Sequence, residues 1–80
     1  MNIRILFFGI IRDIIGKNSL ELDLDKNTSV ANLKVYLLRT FEKLNDHSNF
    51  SVAVNEEYVT ANHPLKANDV VALIPPVSGG

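Results

Sequence analysis

One amphipathic helix is the feature that most constrains the fold of this 80-residue chain. Thr28 or Ser29 can cap it by offering a side-chain oxygen to a free N–H. Apolar residues then recur every three or four positions: Val30, Leu33, Leu37, Phe41 and Leu44. This spacing forms one apolar helix face, which has to be buried against another element. In a single domain near the lower size limit for a sufficient core, we expect that element to be a small mixed sheet.

Five other segments have the composition of strands or extended chain. These segments are 2–8, 19–25, 50–55, 58–60 and 70–74. The first and the last are the most apolar, which places them side by side at the centre of the sheet. This order of elements predicts an α+β fold of the β-grasp (ubiquitin-like) type, with about five strands and one main helix.

The connections between these elements also follow from composition. Residues 9–16 form a predicted short helical turn that ends at Gly16, and residues 45–49 a loop. Pro75 and Pro76 end the last strand. We therefore expect a β-grasp domain over residues 1–75 and a flexible, extended tail over residues 76–80.

Composition argues against several functional classes. The chain has no cysteine, which excludes disulfides, thiolate nucleophiles and iron–sulfur ligation. A net charge of -1 gives no electrostatic basis for binding nucleic acid or an anionic membrane. The apolar run 5–11 is too short to span a bilayer, and Arg12 and Asp13 interrupt it without a cleavage site. We expect a cytoplasmic protein with no nucleic-acid partner and no membrane partner.

The sequence carries no pattern typical of a metal or nucleotide site. His47 and His63 lie far apart, without the spacing of helical metal ligands, and are interpreted as surface residues. The glycines form neither a GxGxxG motif nor a P-loop, and no two carboxylates form a recognisable acid–base pair. We therefore expect this chain to bind no metal and no cofactor.

The C-terminal segment is more informative. Its residues are Pro75, Pro76, Val77, Ser78, Gly79 and Gly80. Simple fraying of a chain end is one interpretation. The other is a functional tail, whose carboxylate a partner reaches through a narrow channel. Two residues without Cβ suit such a channel, and the prolines would hold them clear of the domain.

Apolar residues are also predicted on the face of the sheet opposite the helix. Phe8, Ile74 and Leu6 share this open face, and Tyr58 and Val59 join them from the short extended piece. Isolated exposed apolar residues are normal, whereas a contiguous group beside the tail indicates a protein-binding surface. We predict a partner interface that includes Phe8, Ile74, Tyr58 and Val59.

Several segments resemble the small subunits of molybdopterin synthase, the MoaD-like, ubiquitin-like sulfur carriers. The matching segments are Leu6-Phe7-Phe8, Arg12-Asp13 with Gly16, Val30-Ala31-Asn32-Leu33, Ala53-Val54-Asn55, His63-Pro64-Leu65, Asn68-Asp69-Val70-Val71-Ala72 and the terminal Pro-Pro-Val-Ser-Gly-Gly. The terminal segment is the most specific. Asp13 replaces the usual Glu, Gly9 a frequent Ala, and Ile74 a frequent aromatic residue. Asn68 replaces a turn glycine, and asparagine tolerates the left-handed conformation that such a turn requires.

The resemblance implies a sulfur carrier subunit in molybdenum cofactor biosynthesis, without catalytic activity of its own. An adenylating (E1-like) enzyme would use MgATP to activate the Gly80 carboxylate, and a sulfur donor would make it a thiocarboxylate. The large catalytic subunit, in a heterotetramer, would accept the tail and transfer sulfur to cyclic pyranopterin monophosphate. Three alternatives remain open: a carrier for thiamine synthesis or tRNA thiolation, a ubiquitin-like modifier of lysines, or a binding module with an inert tail.

Overall fold

The structure is a computed structural model and describes residues 1–76. It contains five strands, two α-helices and one 3-10 helix. In chain order they are β1 (Asn2–Phe7), α1 (Gly9–Ile15), β2 (Ser19–Asp23), α2 (Val30–Thr40), the 3-10 helix (Glu42–His47), β3 (Ser51–Val54), β4 (Glu57–Tyr58) and β5 (Val70–Ile74).

The strands form one mixed sheet in the order β2-β1-β5-β3-β4. β1 runs parallel to β5 and antiparallel to β2, and β3 is antiparallel to both β5 and β4. The first and last strands are therefore neighbours at the centre of the sheet, as their apolar composition predicts. The predicted ubiquitin-like β-grasp fold is confirmed.

The core lies between α2 and one face of this sheet. Fully buried residues of α2 and of the two central strands meet there: Leu33, Leu37, Ile3, Ile5, Phe7, Val71 and Leu73. Ser29 caps α2, since its Oγ accepts a hydrogen bond from the Asn32 N–H at 3.2 Å. The helix face predicted from the spacing and the inward face of β1 are both confirmed.

The main helix is shorter than its apolar spacing predicts. α2 ends at Thr40, and the chain bends at Phe41 and continues as the 3-10 helix Glu42–His47. Residues 42–44 were predicted to continue the main helix and residues 45–47 to form a loop. The Asn45 side-chain amide donates to the Leu38 carbonyl at 3.0 Å, which satisfies an acceptor that the end of α2 leaves free. The bend still buries Leu44 completely. The apolar spacing therefore predicts the buried residues correctly but not the end of the helix.

A polar cluster around the buried Asp69 joins the β3–β4 turn to the start of β5. Asp69, which is 8% exposed, accepts hydrogen bonds from the Asn55 side-chain amide at 3.0 Å and the Lys66 N–H at 2.8 Å. Asn55 Oδ1 accepts from the Val70 N–H at 3.0 Å. Both Asn55 (φ 50°) and Asn68 (φ 69°) are left-handed, so the predicted asparagine turn is present. The cluster fixes one end of the sheet's open face.

Candidate functional site

Strand register places one row of side chains across the open face of the sheet. Leu6 pairs with Ala72, Ala72 with Ala53, and Ala53 with Tyr58. Paired residues of neighbouring strands project from the same face, so this row crosses β1, β5, β3 and β4. It lies opposite the buried face that carries Ile5.

The row contributes to an open groove of about 640 Å³, which we call the apolar groove. Its lining residues come from the exposed side of the sheet and the β3–β4 turn: Leu6, Phe8, Ala53, Asn55, Glu56, Tyr58, Val70, Ala72 and Ile74. Two small residues, Ala53 and Ala72, are flanked by large ones on the neighbouring strands. Phe8 is 44% exposed and Tyr58 71% exposed. This is a contiguous apolar surface of the kind that proteins use for binding other proteins.

The structure brings three of the four predicted interface residues together. Phe8, Ile74 and Tyr58 all line the apolar groove. Val59 does not, because it packs against the buried core while its N–H donates to the Val52 carbonyl at 3.1 Å. Successive side chains of an extended segment point to opposite faces, so exposure of Tyr58 turns Val59 inward. The placement of Val59 on the open face is wrong, and the interface role of the other three stays a prediction.

Sequence reasoning missed Ala53, Asn55 and Glu56 as groove residues. The alternation within segment 50–55 contains a signal for the first two, since Ser51, Ala53 and Asn55 have one parity and Val52 and Val54 the other. Glu56 has no comparable signal. It lies at the tip of the turn with φ 72° and places a carboxylate at the rim of the groove.

The tail begins at the end of the apolar groove. β5 ends at Ile74, because Pro75 has no N–H to donate to a neighbouring strand. Pro75 is half-buried and Pro76 is exposed. Val77, Ser78, Gly79 and Gly80, the remaining predicted tail residues, lie outside the described residues. A protein docked in the groove would therefore be next to the first residues of the tail.

At the opposite side of the open face, charges replace apolar groups. The Arg4 guanidinium lies 3.3 Å from the Glu21 carboxylate, and both side chains are more than half exposed. Such a pair contributes little to stability. Within residues 1–76 no three His, Asp or Glu side chains are arranged to hold a metal ion. No helix in the same range combines the length and apolar character needed to cross a membrane.

The five-stranded mixed sheet, with its helix on one face and a groove at the root of the tail on the other, defines a ubiquitin-like β-grasp protein. Comparison with known sequences identifies it further. The profile of the ThiS family matches residues 5–80, and the chain belongs to this family.

Two relatives match over nearly their whole length. The molybdopterin synthase sulfur carrier subunit of Dictyostelium discoideum is 39% identical, with 96% of this chain and 94% of the relative covered. The subunit of the same name from Escherichia coli is 34% identical, with 98% and 99% covered. The predicted resemblance to molybdopterin synthase small subunits is confirmed.

Solved structures share the fold. A protein from Pyrococcus furiosus described as a putative molybdopterin converting factor subunit 1 superposes with a TM-score of 0.88 at 26% identity, covering 96% of this chain and 99% of its own. A chain from the complex of subunits 1 and 2 of the molybdopterin-converting factor of Helicobacter pylori gives 0.73 at 28%, with both chains fully covered. The small archaeal modifier protein 1 of Haloferax volcanii gives 0.82 at 22%, with 95% and 98% covered, and this likeness shows the fold alone.

Proposed function

We propose that this chain is the sulfur carrier subunit of molybdopterin synthase and that the Gly80 carboxylate carries the sulfur. The observation that supports the proposal most directly is the position of the apolar groove. Phe8 and Ile74 line it, and Ile74 immediately precedes Pro75, which leads into the tail. A partner bound in the groove is therefore in position to receive the tail. The two relatives are named molybdopterin synthase sulfur carrier subunits, and these names indicate the pathway that we propose.

The proposed chemistry takes place in partner active sites. On an adenylating enzyme, a Gly80 carboxylate oxygen attacks the α-phosphorus of MgATP, and pyrophosphate leaves. A sulfur donor then delivers a hydrosulfide-equivalent sulfur to the acyl carbon, and AMP leaves. The adenylate is needed because a free carboxylate is a poor electrophile. In this proposal the chain, located in the cytoplasm, supplies and presents the carboxylate and binds no cofactor of its own.

The second step is sulfur transfer to the precursor. The tail thiocarboxylate enters the large catalytic subunit, where its sulfur attacks a carbon of cyclic pyranopterin monophosphate and an oxygen substituent of that carbon leaves. Water then hydrolyses the resulting thioester and restores the Gly80 carboxylate, and two such transfers form the dithiolene. Glycines without Cβ fit a narrow passage, and the two prolines limit the conformational freedom that insertion removes. The solved complex of two converting-factor subunits supports a large-subunit partner for this chain. The proposed assembly is a heterotetramer of two small and two large subunits.

Two other functions use the same fold. A carrier for thiamine synthesis or tRNA thiolation would be loaded in the same way and would differ in the protein that accepts the tail. A modifier would instead join Gly80 to a lysine amine, and the likeness to an archaeal modifier is one of fold alone. The relatives' names favour molybdopterin synthesis over both.

Reconstitution with the large subunit from the same organism tests this proposal. Chain carrying a terminal thiocarboxylate, mixed with that subunit and cyclic pyranopterin monophosphate, should yield a product that contains two more sulfur atoms. We expect at least about a 100-fold excess of product over the same chain with an ordinary carboxylate, since transfer needs the sulfur in place. Mass spectrometry of the product provides the measurement.

The other two functions predict different results when the loaded chain is offered to other acceptors. A loaded chain that gives no dithiolene with the large subunit but supplies sulfur to a thiazole synthase or a tRNA-thiolating enzyme would overturn the pathway. A covalent adduct between Gly80 and protein lysines, formed in place of sulfur transfer, would instead indicate a modifier.

A further inference from the structure

The two central strands bring Gly9 and Pro75 together. β1 and β5 are parallel, with Leu6 opposite Ala72 and Phe7 opposite Leu73. When the same offset continues past the strand ends, Gly9 comes to lie opposite Pro75. The two segments separate at this point, since Gly9 begins α1 and Pro75 leads into the tail.

Two properties of Gly9 allow the chain after β1 to separate from the chain after β5. Its φ of 53° is left-handed, which turns the chain away from the sheet and is a conformation that residues with a Cβ rarely adopt. A Cβ added to Gly9 would also lie 3.0 Å from Cγ and 4.0 Å from Cδ of Pro75. The first distance is shorter than an ordinary van der Waals contact. The Pro75 ring is therefore seated directly on the Gly9 backbone.

We infer that Gly9 is a positioning residue for the Gly80 carboxylate and acts through Pro75. The contact fixes the direction in which the tail leaves the sheet. This inference rests on the proposed function, because direction matters only when the tail has to enter a partner. A Cβ at position 9 would push the Pro75 ring away from the sheet and so change the direction in which the chain continues to Pro76. Misplacement by about 1 Å can slow an enzymatic step about 100-fold.

Gly16 provides a matched control for an added methyl group. It is also left-handed, with φ 81°, but apart from its own atoms and those of its two chain neighbours, no atom of residues 1–76 lies within 4 Å of the position that its Cβ would occupy. Gly9→Ala and Gly16→Ala therefore introduce the same kind of backbone strain, and Gly9→Ala alone also displaces Pro75. The difference between the two variants isolates the contact.

The test measures pyrophosphate release by the cognate adenylating enzyme, with MgATP and the full chain as substrates. Gly9→Ala should lower kcat about tenfold and leave KM for the chain within about twofold. The groove that docks the partner is unchanged, and only the placement of the Gly80 carboxylate in the partner's active site is altered. Gly16→Ala should leave both constants within about twofold of the original chain. Equal kcat values for the two variants would overturn the inference. An effect of Gly9→Ala on KM alone would also overturn it, because that would make Gly9 a docking residue.

Pro75→Ala completes a double-mutant cycle. With Cγ and Cδ of residue 75 removed, Gly9→Ala should lower kcat less than about twofold. A tenfold loss that persists in the Pro75→Ala background would show that the effect does not pass through Pro75. If Gly9→Ala does not fold, Gly9→Asn adds a Cβ in a residue that tolerates the left-handed conformation and should show the same loss of kcat. An original chain that releases no pyrophosphate would instead refute the proposed function itself.

Discussion

Deletion of Gly80 is expected to lower the rate of adenylation by at least about 100-fold, with the fold intact. The variant still ends in a carboxylate, that of Gly79, but the greatest reach of this carboxylate from the domain is shorter by about 3.5 Å. The carboxylate oxygen has to come almost into contact with the α-phosphorus of ATP before it can attack. A tail that is shorter by one residue no longer brings these two atoms together. Pyrophosphate release and intact mass after incubation with sulfur donor provide the measurement.

A variant of unchanged length controls for tail composition. Ser78→Ala alters the tail but keeps the carboxylate at the same distance, and it should retain most of the adenylation rate. The free energy of unfolding should change by less than about 0.5 kcal/mol in both variants, because both keep every core residue found within residues 1–76. Loading of the deletion variant at the original rate would show that Gly80 is not the carrier site.

Substitution of Phe8 by aspartate is expected to weaken binding to the large subunit about 100-fold, or about 2.7 kcal/mol. The change removes a large apolar side chain from the groove and places a charge on the surface that a partner would desolvate. Titration calorimetry with the large subunit measures the dissociation constant.

The same variant should fold normally, for a local reason. Phe8 is the N-cap residue of α1, with an extended backbone (φ -128°, ψ 155°) and no side-chain hydrogen bond to the helix. Aspartate is a favourable residue at that position, since its carboxylate accepts from the free N–H groups of the first turn. Stability should therefore stay within about 1 kcal/mol of the original. Unfolding of Phe8→Asp would contradict the surface position of Phe8.

Val35→Asp is the matched control for this experiment. Val35 is 48% exposed, close to the 44% of Phe8, but it lies on the outer side of α2, away from the groove. The control should bind the large subunit with an unchanged dissociation constant. If both variants weaken binding equally, the effect comes from added charge in general and the groove is not the interface.

Sequence patterns predicted the parts of this fold that depend on local periodicity. The spacing from Val30 to Leu44 predicted which helix face is buried, and alternation in β1 and β5 predicted both faces of the sheet centre. Where the structure differs, the local spacing carries no signal. α2 stops at Thr40, where Phe41 leaves the helical conformation (φ -117°, ψ 84°) and the Asn45 amide donates to the Leu38 carbonyl, although the apolar spacing continues to Leu44.

The candidate site shows the same division. Phe8 and Ile74 could be placed on the open face because long strands give an unambiguous alternation. Val59 was misplaced because β4 contains only two residues, Glu57–Tyr58, too few for the pattern to fix which side faces outward. The contact between Gly9 and Pro75 depends on strand register, which a single sequence does not specify. Sequence alone therefore predicts several residues of the apolar groove, and strand register is needed to identify the others.

The mass of the intact chain after loading shows whether Gly80 is the residue that carries sulfur. The full chain is incubated with its adenylating enzyme, MgATP and a sulfur donor, and a parallel sample omits ATP. We expect a gain of about 16 Da, the replacement of one oxygen by sulfur, with fragment ions that place it on Gly80 and no gain without ATP. An unchanged mass, with an enzyme that releases pyrophosphate from ATP in the presence of this chain, or a gain located on any other residue, would show that Gly80 does not carry the sulfur.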